Sequence, residues 1–310
     1  MKNIDPETIR EHVRARYGSI AEQAGDEPTA SVECCGGPAK SDASACCAEH
    51  ENAKAQGGTD CGCSSSKTAK ATPVVERCCA TTAESSTPGA NYASQLGYSA
   101  AEQAAAPAGS DLGLGCGNPV AIAGIKPGET VLDLGSGAGF DCFLAARQLA
   151  STGKVIGVDM TAAMITKARR NAAKSGFTNV EFRLGEIEAL PVADASVELI
   201  ISNCVINLSP EKSRVFAEAF RVLKPGGRLA IADVVERLPL PEDFRQSLQN
   251  VSCCIGGATP IDELRAMLAA AGFRKVDIEL RDNSRDYIKH WTDNPAFADF
   301  VVSANVTAYK

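Results

Sequence analysis

From residue 130 onward, short apolar runs alternate with amphipathic stretches. The runs at 130–134, 154–159, 180–184, 197–202 and 228–234 read as strands. Between them, apolar residues recurring every three or four positions predict helices over 140–149, 162–175 and 213–223. The last of these meets Lys224-Pro225-Gly226-Gly227, a stop signal made of a residue without an N–H donor and two without a Cβ. A further helix over 261–271 stops at Gly272, and 275–280 and 300–308 read as closing strands. Such alternation implies βαβ units, and hence an α/β, Rossmann-like doubly wound sheet, mostly parallel and covered on both faces. No internal repeat is evident.

The first third is different. Residues 5–17 form an amphipathic helix, with Ile9, Val13 and Tyr17 at four-residue spacing behind an Asp5-Pro6 start. From about 25 to 88 the chain is Ala, Ser, Thr, Gly, Lys and Cys, too poor in large apolar residues to bury a core, and so expected to be flexible. Residues 90–120 are transitional, with a turn-like run from Asp111 to Pro119. The expected organisation is a helix over 1–24, a Cys-rich segment over 25–89, a cofactor-binding domain over 90–235, and a part over 236–310 that completes the sheet and the substrate site.

A formal charge of −7 over 310 residues excludes the electrostatic footprint of nucleic-acid binding. The opening stretch is charged throughout, without the apolar run of a signal peptide, and the most apolar stretch, 197–208, is too short to span a bilayer. A cytoplasmic protein with a small-molecule substrate and no membrane partner is expected. Thirteen cysteines then stand out, because a reducing compartment does not favour structural disulfides. Thiolate chemistry or soft-metal ligation is the leading explanation.

The first strand runs into Val131-Leu-Asp-Leu-Gly135-Ser-Gly137-Ala-Gly139. Glycines there allow a tight turn and close approach of a ligand at the strand's carboxyl end. The spacing is G-x-G-x-G, not the G-x-G-x-x-G that holds a pyrophosphate, so nicotinamide binding is a minor alternative. Asp133 is placed to face a positively charged ligand. Asp159, ending the second strand, is placed either to accept from two ribose hydroxyls or to cap the next turn. This set resembles the class I S-adenosylmethionine-dependent methyltransferases. Gly185-Glu-Ile-Glu-Ala-Leu-Pro191 is similar to their adenine-contact loop, and Arg221-Val-Leu-Lys-Pro-Gly-Gly227 to a later turn. The resemblance implies S-adenosylmethionine as cofactor, held by Asp133, Gly135, Ser136, Gly137, Gly139, Asp159, Met160, Glu186, Ile187 and Asn203.

Three cysteine neighbourhoods accompany the loop: Gly115-Cys116-Gly117-Asn118-Pro119, Ser202-Asn-Cys204-Val-Ile-Asn-Leu208 and Cys253-Cys254-Ile-Gly-Gly-Ala258. A fourth strand beside the first puts Cys204 at the crevice. Cys142, within the first helix, reads as a small buried hydrophobe. At these residues the chain resembles the arsenite methyltransferases, which implies that Cys116, Cys204 and Cys254 bind trivalent arsenic. It also implies a redox partner for Cys116, best matched by Cys79, next to Cys78. Soft, thiophilic arsenic suits clustered thiolates, and its lone pair can take a methyl group without a general base. Oxidised cysteines would be reopened by thioredoxin or glutathione. The pairs Cys34-Cys35 and Cys46-Cys47, with Cys61 and Cys63, suit either arsenite capture by a flexible arm or a tolerated insert. Competing readings are a ubiquinone- or sterol-type C- or O-methyltransferase, and a soft-metal-binding protein with a degenerate methyltransferase domain. Tyr92 and His290 show only packing or surface character, and nothing after Asp282 is assigned to the site.

Overall fold

The structure, a computed structural model, describes residues 4–24, 88–150, 152–291 and 294–310. Cys34, Cys35, Cys46, Cys47, Cys61, Cys63, Cys78 and Cys79 lie outside them, as does the segment expected to be flexible. Eight strands form one sheet: β1 (Thr130–Leu134), β2 (Lys154–Asp159), β3 (Val180–Leu184), β4 (Val197–Asn203), β5 (Leu223–Glu236), β6 (Thr259–Pro260), β7 (Arg274–Arg281) and β8 (Val301–Tyr309). Their order is β3-β2-β1-β4-β5-β8-β7, with the two-residue β6 added to β5. The first five run parallel, and β8 is antiparallel to both its neighbours. The order in which strands are added to the sheet reverses between β1 and β4, which opens a crevice at their carboxyl ends.

Successive side chains of a strand point to opposite faces, and the strands use both. Val131, Val155, Leu199, Ile201 and Ala230 join one hydrophobic cluster, and Leu132, Leu134, Ile156, Ile200 and Leu229 the other. The first layer is completed by α1 (Pro6–Gln23), α2 (Pro88–Leu96), α5 (Phe140–Leu149) and α6 (Ala162–Lys174); α3 is Ala100–Ala105 and α4 Pro119–Ile122. The second layer takes α7 (Lys212–Val222) and, past the short α8 (Glu242–Arg245) and α9 (Leu248–Ser252), α10 (Ile261–Ala270). A four-residue α11 (Arg285–Ile288) precedes β8. No helix among the described residues is long and apolar enough to cross a membrane.

Three details differ from the pattern-based expectation. Helix α1 runs on to Gln23 instead of ending at Tyr17, because it packs against α6 and α9 and buries Ala21 in its last turn. The Pro-Gly-Gly signal ends α7 but does not separate it from the next strand. Val197 pairs with Leu223 and Leu199 with Arg228, so β5 absorbs 224–227 as a bulge, with Gly226 at φ +80°. Residues 90–120 are not merely turns. Ser99 and Glu102 form a reciprocal capping box on α3, and Asn118 caps α4 ahead of Pro119.

Phe143 on α5 is fully buried, with ring centroids 4.9 Å from Phe177 and 5.7 Å from Phe182. It also backs Gly139, where a Cβ would lie 2.7 Å from its ring. Phe143→Ala should therefore cost about 3–5 kcal/mol of unfolding free energy, measured by denaturant titration. A loss below about 1 kcal/mol would show that the ring is not the anchor of this layer.

Candidate functional site

A cavity opens at the carboxyl ends of β1, β2 and β4. Gly135 and Ser136 donate their amides to the Val158 carbonyl at 2.8 and 3.0 Å, fastening the loop after β1 to β2. Gly135 must be glycine: its φ is +70°, and a Cβ would lie 2.4 Å from Val205 Cγ2. Asp159 serves two elements at once. Its Oδ1 accepts from the Thr161 amide at 2.8 Å, capping the turn into α6, and its Oδ2 accepts from Gly137 at 3.0 Å. Of the ten residues expected at the cofactor, Asp133, Gly135, Ser136, Gly137, Asp159, Met160, Ile187 and Asn203 line the cavity. Gly139 lies behind it against Phe143 and Phe182. Glu186 is engaged by Arg14 at 2.6 Å, from α1, whose Arg10, Val13 and Tyr17 wall the cavity on that side.

Three buried carboxylates line the cavity: Glu188 pairs with Arg10 at 3.7 Å, whereas Asp133 and Asp141 have no basic partner among the described residues. Burial, reinforced by neighbouring Asp141, pushes the Asp133 carboxyl well above its ordinary range, against the bond it accepts from the Cys142 thiol at 3.1 Å. Burial likewise pushes Asp141 up to about 6, opposed by donors from Tyr98 at 2.6 Å and Asn203 at 3.2 Å. Cys142 is buried as expected, but its thiol also orients Asp133. Asp141 and Tyr98 carried no sequence motif, and the preference of such a place for a cation shows only once the two acids are seen side by side.

The thiols gather at the end of β4. Cys116, Cys204 and Cys254 are all buried, and Cys204 and Cys254 line the cavity while Cys116 lies just behind. The sulfurs of Cys116 and Cys204 and a carboxylate oxygen of Asp233 lie within 4.8 Å of one another. The Cys204 thiol interacts with both Cys116 and Cys254, and the Cys254 thiol also donates to the Cys204 carbonyl at 3.0 Å. Cys253 is wholly buried and is engaged elsewhere. Burial raises the Cys116 thiol, and raises Cys204 further, so both are protonated near neutral pH. Cys204 and Cys254 have φ of +57° and +66°, a left-handed backbone costing about 1 kcal/mol at a residue with a Cβ. At Cys204 it is held by the amide's bond to the Ala232 carbonyl at 2.8 Å. Such strain at two neighbouring thiols marks a place shaped for chemistry.

Comparison with known proteins agrees with this geometry. A family model described as a methyltransferase domain matches residues 125–272. An arsenite methyltransferase of Halobacterium salinarum is 46% identical over 306 residues, covering 99% of this chain and 68% of that protein. The chain belongs to the arsenite methyltransferase family. A second arsenite methyltransferase, from Aquipseudomonas alcaligenes, is 42% identical over 51% of this chain, which spans only 47% of that relative's length. Among solved structures, an arsenic(III) S-adenosylmethionine methyltransferase from Chlamydomonas reinhardtii superposes with a TM-score of 0.52 at 32% identity, over 72% of this chain and 74% of that one.

In this arsenite methyltransferase family member, the Cys116 loop is held from parts of the chain far apart in sequence. Its amide donates to Asn203 Oδ1 at 3.0 Å. Its carbonyl accepts from Ser303 Oγ at 2.6 Å, Tyr287 Oη at 2.8 Å and Arg281 Nη1 at 3.5 Å. Tyr92, expected only to pack, donates to the Gly115 carbonyl at 2.8 Å. The stretch after Asp282 thus braces a thiol of the cluster, although no local pattern there announces it. Losing both close donors in a Ser303→Ala, Tyr287→Phe double variant removes roughly 2 kcal/mol of local restraint. Alkylation of Cys116, followed peptide by peptide, should accelerate at least about tenfold, with Cys142 as the unaffected reference. Equal acceleration at both cysteines would mean general loosening instead.

Proposed function

We propose that this chain moves methyl groups from S-adenosylmethionine to arsenic(III) held by Cys116, Cys204 and Cys254. The observation that carries the reading is the gathering of three mutually adjacent buried thiols, two of which line the same cavity as the glycine loop. The residues fit the cofactor. Asp133 and Asp141 offer buried negative charge to a sulfonium and an amino group. Asp159 keeps lone pairs for two ribose hydroxyls, and Met160 and Ile187 offer apolar contact. When bound, S-adenosylmethionine supplies an electrophilic methyl carbon.

The chain's own groups do the rest. Each protonated thiol displaces a hydroxide or a thiol from arsenic, and its proton leaves on the displaced group as water or free thiol. Cys204, between its two neighbours, would fix the arsenic at the cavity that would hold the cofactor, and orientation of this kind accounts for several kcal/mol of a barrier. Arsenic(III) held on these sulfurs would keep its lone pair free for the methyl group that bound S-adenosylmethionine would supply. Arsenic carries no proton, so no general base takes part. The pentavalent product gains two electrons from two cysteine thiols, whose protons pass to solvent as they close a disulfide that thioredoxin or glutathione reopens. Family resemblance assigns that pair to Cys79 and Cys116.

With labelled S-adenosylmethionine, a reduced thiol and arsenite, the parent protein should yield methylated arsenic. Cys204→Ser should lower kcat/KM by about 100-fold or more while leaving cofactor affinity intact. Methylation that ignores this substitution would return the reading to a carbon or oxygen acceptor.

The buried acids generate a second test. Asp141 is protonated below about pH 6 and ionised above it, and a cationic ligand favours the ionised form. Affinity for S-adenosylmethionine should therefore rise between about pH 5 and 7 and level off above, whereas S-adenosylhomocysteine, with a neutral sulfur, should respond less. Calorimetric titrations on either side of pH 6 measure both. Identical pH responses would remove these carboxylates as the counter-charge.

A further inference from the structure

The floor of the cluster is not sulfur alone. The donor atoms that already lie within 4.8 Å of one another are Cys116 Sγ, Cys204 Sγ and a carboxylate oxygen of Asp233, and all three residues are buried. Cys254 adjoins Cys204 but is not one of that trio. The methyl-transfer scheme uses the three sulfurs and leaves Asp233 without a part.

One plain role for Asp233 is to brace the turn after β4. It accepts from the Ile206 amide at 3.0 Å through Oδ2, and from Asn207 Nδ2 at 2.9 Å and the Val234 amide at 2.7 Å through Oδ1. A carboxylate offers about four acceptor directions, and the Asn207 backbone amide also donates to it, so an ion on Asp233 shares or displaces one of these donors. Hydrogen bonds of this kind also fix the orientation of carboxylates that ligate metals.

Two thiolates and one carboxylate make a mixed soft and hard set, suited to a borderline-soft divalent ion with four tetrahedral positions. Trivalent arsenic, with a lone pair in place of a fourth ligand, takes three sulfurs instead. Metal–sulfur bonds of about 2.3 Å put two sulfurs roughly 3.7 Å apart in a tetrahedron, so the trio closes on an ion with shifts of about 1 Å or less. Charge also balances. Two thiolates and a carboxylate around a dication leave one net negative charge, and the buried ammonium of Lys212 is attracted to Asp233 from the neighbouring small cavity.

We propose that Cys116, Cys204 and Asp233 form a binding site for a divalent cation of the zinc and cadmium class, which competes with arsenic for two of its three sulfurs. The ion enters past Cys204 from the large cavity, and the two thiol protons pass to solvent as the metal–sulfur bonds form. Only the competition rests on the arsenic reading. The cation site stands on the trio itself.

The test uses the full-length reduced protein and cadmium-113 alone, followed by cadmium NMR, in which each ligand set gives its own resonance. Sites elsewhere in the chain are thereby told apart. One resonance should vanish in Cys204→Ser, persist in Cys254→Ser and move in Asp233→Asn, with circular dichroism confirming that each variant is folded. Asp233→Glu, which restores a carboxylate, keeps the test informative if the Asn variant unfolds, and should give a bound resonance at a shifted position. The proposal is overturned if no resonance depends on Cys204. It is equally overturned if the Cys254 variant loses the signal, or if neither Asp233 variant moves it, since cadmium would then be held by sulfur alone. Arsenite added first should suppress the resonance. If the three variant results hold but arsenite leaves the resonance intact, the fault lies in the arsenic assignment and the cation site survives.

Discussion

One side chain joins the two halves of the site. Asn203, the last residue of β4, accepts the Cys116 amide on Oδ1 at 3.0 Å. Its Nδ2 donates to the Gly117 carbonyl at 2.9 Å, to Tyr98 Oη at 3.0 Å and to Asp141 at 3.2 Å. The thiol loop and the buried acid are thereby tied to the same strand end, next to β1. Gly115 has to be glycine for this contact, because a Cβ there would lie 2.8 Å from the Asn203 amide. In a desolvated site such a network is worth more than its separate bonds, and a single gap in it leaves buried groups unpaired.

Burial sets the chemistry on both sides of that network. It raises the carboxyls of Asp133 and Asp141, which favours a ligand that brings positive charge. It raises the thiols of Cys116 and Cys204, which favours a partner that takes sulfur without a base being needed. Strained backbone at Cys204 and Cys254 is tolerated because the turn after β4 is pinned by Asp233, Asn207 and the Ala232 carbonyl.

Much of this was legible in the chain. The five parallel strands appeared as apolar runs because strands covered on both faces carry few polar positions, and the glycine loop with Asp133 and Asp159 followed from local spacing. The Ser-Asn-Cys motif at 202–204 sat at the strand end where the structure places it. The bracing from Tyr287, Ser303 and Arg281 was not legible. Each reaches the Cys116 carbonyl across more than half of the chain, and a hydroxyl that donates to a backbone carbonyl leaves no periodic trace in its own segment.

The sequence by itself determined the period-two and helical patterns, the loop that needs positive φ, and the supply of soft ligands, because these depend on neighbours within a few residues. Only the tertiary structure decided that β8 enters between β5 and β7, that α1 walls the cavity, and which donors meet at the floor. Those outcomes depend on distances between segments far apart along the chain. Packing sets such distances, and no local propensity encodes them.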